Sequence, residues 1–347
     1  NGILTDENAS IDEKTRAINS LLNIAAAGAS MQTAFDAATS TIGTIEDRVS
    51  FAGDHFDQSG ILKTQQTGGG LWVKATGGTA KTRSMKSGKM EGGAQTDIFG
   101  IVLGADYVTA SQNFVFGGAF AYTKSSVTST GDWTDTENSV DSYSFSAYGA
   151  WTPNESFNLS GHFGYQTSSG EIAQKITLGG VGSASADVDQ DIIYGGLRAE
   201  YRMRFGDVIL VPHAGVRVVH GLSGDYDTKV NGAKAFATDF DSTTTWQLPV
   251  GVAVRGHFDT GNGWSFRPVG DISVIPQFGD TEQDYTVKNN RGVSDALSGQ
   301  FAGDFVTKAR LGFELEKDNT TFSFDYGFAR GDIDESHTVN ATVRFLF

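Results

Sequence analysis

From Gly70 to Phe347 polar and apolar side chains alternate with a period of two, and this constrains the fold more than any other feature. In Ser142-Tyr143-Ser144-Phe145-Ser146-Ala147, serine lines one face of an extended strand while Tyr143, Phe145 and Ala147 line the other. Between 194 and 205, Arg198, Glu200, Arg202 and Arg204 share a face, opposite Leu197, Ala199, Tyr201, Met203 and Phe205. Lys308 and Arg310 stand against Ala309 and Leu311, Asp325 against Phe324 and Tyr326, and Arg344 against Val343 and Phe345. One face meets an apolar phase, and the other needs water or partner charges. The outer face of a soluble sandwich has the same period, so alternation alone does not choose between sandwich and membrane barrel.

Connection lengths choose. Short turns at 109-112, 152-155, 206-207, 260-263 and 317-319 alternate with longer connections around 81-95, 125-139, 169-187, 222-240 and 279-298. Tight turns on one side and long loops on the other are the signature of an outer-membrane barrel. About twelve strands result, near 70-80, 96-108, 113-124, 140-151, 156-167, 188-205, 207-221, 241-258, 264-276, 299-316, 320-329 and 337-347. Each reaches the roughly 9–11 residues that a tilted membrane-crossing strand requires. Mean hydropathy is only -0.23, but a barrel hides its lipid face in alternate positions, so this value does not exclude a membrane. Tyr107, Trp151, Phe205, Phe258 and Trp264 fall beside the short turns, where an aromatic girdle would sit.

Residues up to about 50 follow a different rule. Ser10 to Glu13 reads as a capping box, and Ala, Leu and Met recur at helical spacing as far as Asp47, with a break expected around Gly28. Ser, Thr and Asn interrupt the segment, which predicts polar surroundings. The charge distribution suggests where it lies. The chain carries a net charge of -15, yet the face opposite the greasy one is rich in cations. Lys74, Arg198, Arg202, Arg204, Arg217, Arg255, Lys308, Arg310 and Arg344, with Glu200 and Asp325, are assigned to the lumen. Such a wall needs water or a polar insert. A helix about 10–12 Å across fits, with Asp36, Glu46 and Asp47 available to the arginines.

Chemistry is not indicated. There is no G-x-S-x-G elbow, H-E-x-x-H or P-loop, and the six histidines lack metal-ligand spacing. No catalytic residue, metal or cofactor is expected. The acidic balance argues against nucleic acid.

These features resemble the β-domain of monomeric autotransporters of type V secretion. The carriers are the helical segment before the first strand, the stretch Gly70-Leu71-Trp72-Val73-Lys74-Ala75, the short turns, and a last strand ending in Val343-Arg344-Phe345-Leu346-Phe347. The resemblance implies an all-β fold: one transmembrane antiparallel barrel of about 12 strands, 67-347, with a linker, 1-66, whose helix is threaded through the lumen. It implies an outer-membrane translocator that anchors and supports export of an upstream passenger in a Gram-negative bacterium. Val343, Phe345 and Phe347 would be the signal read by the barrel-assembly machinery. Lipid, lipopolysaccharide and the passenger are the remaining expected partners of a monomer, and any export signal would lie upstream of Asn1. Some family members cleave the linker beside an Asn-Asn pair, which this helix lacks, so cleavage is not expected. The alternative reading is a stand-alone porin or adhesin barrel with an N-terminal plug.

Overall fold

A computed structural model of the chain describes all residues except 1, 54, 58, 64, 66, 88, 89, 132, 134 and 177. The expected linker boundary at 66/67 therefore lies partly outside the described residues. Twelve antiparallel strands form a closed ring. They are β1 Gly69–Ser87, β2 Met90–Val108, β3 Phe114–Gly131, β4 Thr136–Asn154, β5 Phe157–Lys175 and β6 Ser183–Tyr201, prolonged by Met203–Phe205. Next come β7 (Val208–Gly221, Gly224–Val230) and β8 (Ala233–Phe240, Thr243–Gln247, Val250–Gly256, Phe258–Gly261). The last four are β9 (Trp264–Gly279, Glu282–Asn289), β10 (Ser294–Gln300, Phe305–Lys317), β11 Thr320–Gly331 and β12 Asp334–Leu346. The ring closes because β1 pairs with β12 from Gly70↔Leu346 to Thr82↔Asp334. Closure leaves no sheet edge with bare amides and carbonyls in lipid.

The strands are longer than the sequence suggested, which corrects the expected long loops. β1, β2, β4 and β5 have 19 residues each, about 63 Å of extended chain, more than the ~30 Å hydrocarbon core requires even when tilted. The segments assigned to loops mostly pair into the same hairpins, and β7 passes to β8 through the two-residue turn Asn231-Gly232 with positive φ at both positions. The cause is a reversal of phase. In the lower half apolar residues point out: Phe145 is 62% exposed, Leu197 56% and Leu311 70%. In the upper half they point in: Val127, Ile172, Val188, Tyr226 and Phe240 are buried, while Glu137, Glu171, Asp187 and Asp189 face out. Lipid surrounds the lower half and water the upper. Tyr122 and Tyr165 mark the border, their hydroxyls donating to Asp141 (2.6 Å) and Asp191 (2.8 Å).

Inside the ring stand the end of α2 (Ile11–Leu22), α3 Ile24–Ala27 and α4 Ser30–Arg48, while α1 Gly2–Thr5 and the exposed start of α2 lie at its upper rim. Ser10 and Glu13 form the capping box of α2. The break is sharper than expected, with a first interruption at Asn23 and a second at Ala29, whose φ is 49°. At Gly28 the segment passes close to the wall, where an added Cβ would come 3.1 Å from the Ile172 side chain and oblige it to shift. The surroundings of this segment are not uniformly polar. Leu21, Ile24 and Ala25 pack on Ile172, Val188, Tyr226 and Tyr285 in the collar above the membrane.

Candidate functional site, an occupied lumen

The helices run from the hairpin end of the barrel down to the short-turn end. At the top, the Asp6 carboxylate accepts from the Gly179 amide (3.0 Å) and from that of Asn8. Those two backbone bonds hold its pKa below the usual carboxylate range. Further down, Asn138 Nδ2 donates to the Gly28 carbonyl (2.8 Å) and Gln166 Nε2 to that of Ala34 (2.8 Å). These contacts seat α4 against β4 and β5. On the far side a cavity of about 190 Å³ remains, lined by Thr76, Thr123, Lys308 and Thr338 among others.

The lower part of α4 is fixed by charge. Glu46, 1% exposed, accepts from Arg217 Nε at 2.8 Å and Nη2 at 2.5 Å, with Arg198 Nη1 at 3.5 Å. Asp47 pairs with Arg310 at 3.0 Å, and Lys74 Nζ donates to Thr44 at 3.1 Å. Lys308 reaches toward Gly43, where an added Cβ would be 3.0 Å from its Nζ. Asp325 accepts from Asn340 (2.8 Å) in the wall. Asp36 departs from expectation. Its charged neighbour is Asp334, another carboxylate, because this face of the helix turns toward the cavity rather than toward the arginine wall.

Below α4 the linker folds into a plug that sequence reasoning missed. Phe51, Ala52, Phe56 and Leu62 are buried in one cluster with Trp72, Val108 and Val115, and Phe56 bridges Leu62. Arg255 donates to the carbonyls of Phe51 (3.1 Å), Gly53 (2.6 Å) and Phe56 (3.1 Å). Glu200 accepts from the Phe51 amide at 2.7 Å and is itself paired with Arg198 at 2.9 Å. Arg202 donates to the carbonyls of Glu155 (2.6 Å) and Ser59. Arg204 is exposed at the rim, bonded to the neighbouring Gly206 carbonyl, so its assignment to the lumen is corrected: β6 ends around it and the wall no longer encloses it.

One buried network ties plug, helix and seam together. Arg48 grips Asp106 with Nε at 2.9 Å and Nη2 at 3.2 Å, lies over the Trp72 ring, and so joins α4 to β2 and β1. Trp72 donates to Tyr148 OH (2.9 Å), which donates to Asp106 (3.0 Å). His55 sits between Asp106 (3.2 Å) and Arg344 (3.1 Å). Arg344 can only donate, so His55 Nδ1 accepts and Nε2–H donates to Asp106. Burial first, then the nearby Arg48, push the His55 pKa down to about 4. His55 could not have been singled out from its sequence neighbours.

On the outer surface Tyr107, Trp151, Phe205 and Phe258 are exposed beside the short turns; Trp264 is half-buried under Lys317. Val343, Phe345 and Phe347 project outward from the last strand, and the Phe347 amide donates to the Gly69 carbonyl at 3.0 Å. Among the described residues no three His, Asp or Glu side chains converge as a metal site.

A twelve-stranded ring closed around a helix can be compared with known proteins. The autotransporter β-domain family model matches residues 71–327. This chain belongs to that family. The autotransporter β-domain is a translocator of the Gram-negative outer membrane, so the hairpin end is extracellular and the short turns are periplasmic. The stand-alone porin or adhesin reading is not favoured. Three solved structures share the fold. The β-domain of the Bordetella autotransporter BrkA is 15% identical with TM-score 0.60, over 81% of this chain and 100% of that one. The translocator domain of NalP from Neisseria meningitidis is 12% identical with TM-score 0.64, over 93% and 99%. The transport unit of AIDA-I from Escherichia coli is 16% identical with TM-score 0.54, over 89% and 98%. No curated protein matches the sequence.

Proposed function

We propose that this autotransporter β-domain holds the last exported part of its own chain, residues 1-66, as a linker inside the barrel formed by 67-347. The observation that carries this reading is the direction of the helices: Asp6 meets Gly179 at the extracellular rim, while Arg48 meets Asp106 near the periplasmic turns. An upstream passenger would continue from the extracellular end. The domain's own work is physical rather than chemical, with the lumen residues Arg198, Arg217 and Arg310 acting as counter-charges that retain the linker and Arg255 and Arg202 as clamps on its plug. Outward Val343, Phe345 and Phe347 are the assembly signal presented to the barrel-assembly machinery, and the domain works as a monomer among lipopolysaccharide and phospholipid. The test is expression with a signal peptide and a reporter upstream of residue 1. External protease should degrade the reporter on intact cells; a protected reporter over a correctly folded barrel would overturn the proposal.

A further inference from the structure

The lipid-facing wall is not uniform. On β2, β3 and β4 the residues Ala105, Gly118 and Ala147 are direct neighbours in register, forming a floor of small side chains. Above them the next outward row is bulky, Leu103, Phe120 and Phe145, also in register. Leu71 on β1 and Phe163 on β5 close the two ends. The result is a shallow depression of about 1000 Å³ on the lipid-facing wall, its floor four residues up β3 from Phe114. An added Cβ on Gly118 would meet only the Ser146 carbonyl oxygen, at 3.6 Å, so the floor lies open toward lipid.

A second feature lies on the same strand face. Outward residues of β3 run Gly118, Phe120, Tyr122, Lys124, so Lys124 stands six residues above the floor toward the extracellular side. Six residues are about 20 Å of strand, and at the ~40° tilt of such barrels about 15 Å of height. That is about half the ~30 Å hydrocarbon thickness, one leaflet. Lys124 is half exposed; Asp141, 3.9 Å away, already accepts from Tyr122, and Asp97 stands outward on β2 two residues beyond Phe99, the register partner of Lys124. A cation at headgroup height and a socket one leaflet below it match the two ends of a single lipid. The height and the side fix which lipid: one of the outer leaflet with phosphate on its head.

We infer that the β1–β5 face of the barrel binds one outer-leaflet glycolipid of the lipid A class, a phosphate at Lys124 and an acyl-chain end in the depression over Gly118. The inference deepens the lipopolysaccharide environment proposed above by assigning it a site. The full chain, purified in detergent, is titrated with diphosphoryl lipid A and with its dephosphorylated form, and bound lipid is counted by native mass spectrometry. One lipid A per barrel is expected, with the dephosphorylated form about two- to fivefold weaker, the range for an exposed ion pair. Lys124→Glu should abolish that difference. Gly118→Trp should weaken both forms about threefold or more through lost chain contacts, while Ile272→Trp, exposed on β9, should change neither. Equal binding by the two tryptophan variants, or a phosphate preference that survives Lys124→Glu, would overturn the site without touching the direction of the linker. If Gly118→Trp does not fold, a photo-crosslinking residue at Ala147 in cells should capture lipid A, and the same residue at Ile272 should not. Capture of a second copy or another protein at Ala147 would overturn the inference.

Discussion

Leu311→Arg tests the facing of the wall. Leu311 is 70% exposed, the most exposed large apolar residue on the lipid-facing strands, and lies midway along the lower segment of β10, six residues from each end of Phe305–Lys317. Its chain neighbour Arg310 already carries a guanidinium, facing inward and paired with Asp47 at 3.0 Å. Two adjacent residues at the same depth thus meet opposite media. Moving a guanidinium to the lipid side near the midplane costs about 2–4 kcal/mol, an unfolding equilibrium shifted about thirtyfold to nearly a thousandfold. Thr123→Arg is the control, because Thr123 borders the lumenal cavity, where an added side chain finds polar surroundings and the cost should stay below about 1 kcal/mol. Both variants are refolded into lipid vesicles and titrated with urea, with the folded fraction read from the mobility of unheated samples on a gel. Equal losses at 123 and 311 would refute the reasoning.

Glu46→Gln removes the carboxylate that two buried arginines share and should loosen the linker by about 3 kcal/mol; faster trypsin cleavage of residues 1-50 in an intact barrel is the readout, and unchanged protection would contradict it. Phe347→Ser removes an outward aromatic at the seam, with slower assembly expected and normal outer-membrane levels arguing against a signal role. The plug should loosen in acid. His55 titrates at about 4 in the folded chain, below the free value of 6.5, so the unfolded linker binds the extra proton and the contribution present above pH 6.5 is lost as pH falls toward 4. The full span is on the order of 3 kcal/mol, with Arg48, Asp106 and Arg344 as the charged groups acting on the ring. Bilayer conductance should rise between pH 7 and 4.5, and His55→Gln should flatten that rise; an identical rise in the variant would remove His55 from the account.

The lower half of the barrel was legible in the sequence because lipid imposes a strict rule: Phe145, Leu197 and Leu311 must point out, and Arg198, Arg217 and Arg310 cannot. The upper half obeys the opposite rule. At Asp141 and Asp191 the outer solvent changes from lipid to water, the apolar phase moves to the inner face, and a pattern read with one solvent in mind looks like loop. The helix announced its start through Ser10 and Glu13, a local signal, and its lower acids Glu46 and Asp47 matched the arginine wall. Asp36 did not, since which side of the lumen a helix leans on depends on Asn138 and Gln166, more than a hundred residues away. The plug had no local signature either: Arg255 and Arg202 bind its backbone carbonyls, which every residue possesses.

In the direction proposed here, residues 1-66 enter the barrel from the extracellular side and descend through it before the chain builds the wall. The sequence contains no cysteine, so single cysteines can report the two ends. Asn8, exposed at the extracellular rim, and Asn262, in a short turn at the other end, are each replaced and treated on intact cells with a membrane-impermeant maleimide. Position 8 should react at once and position 262 only after the outer membrane is permeabilised. Labelling at 262 but not at 8 on intact cells would contradict the account.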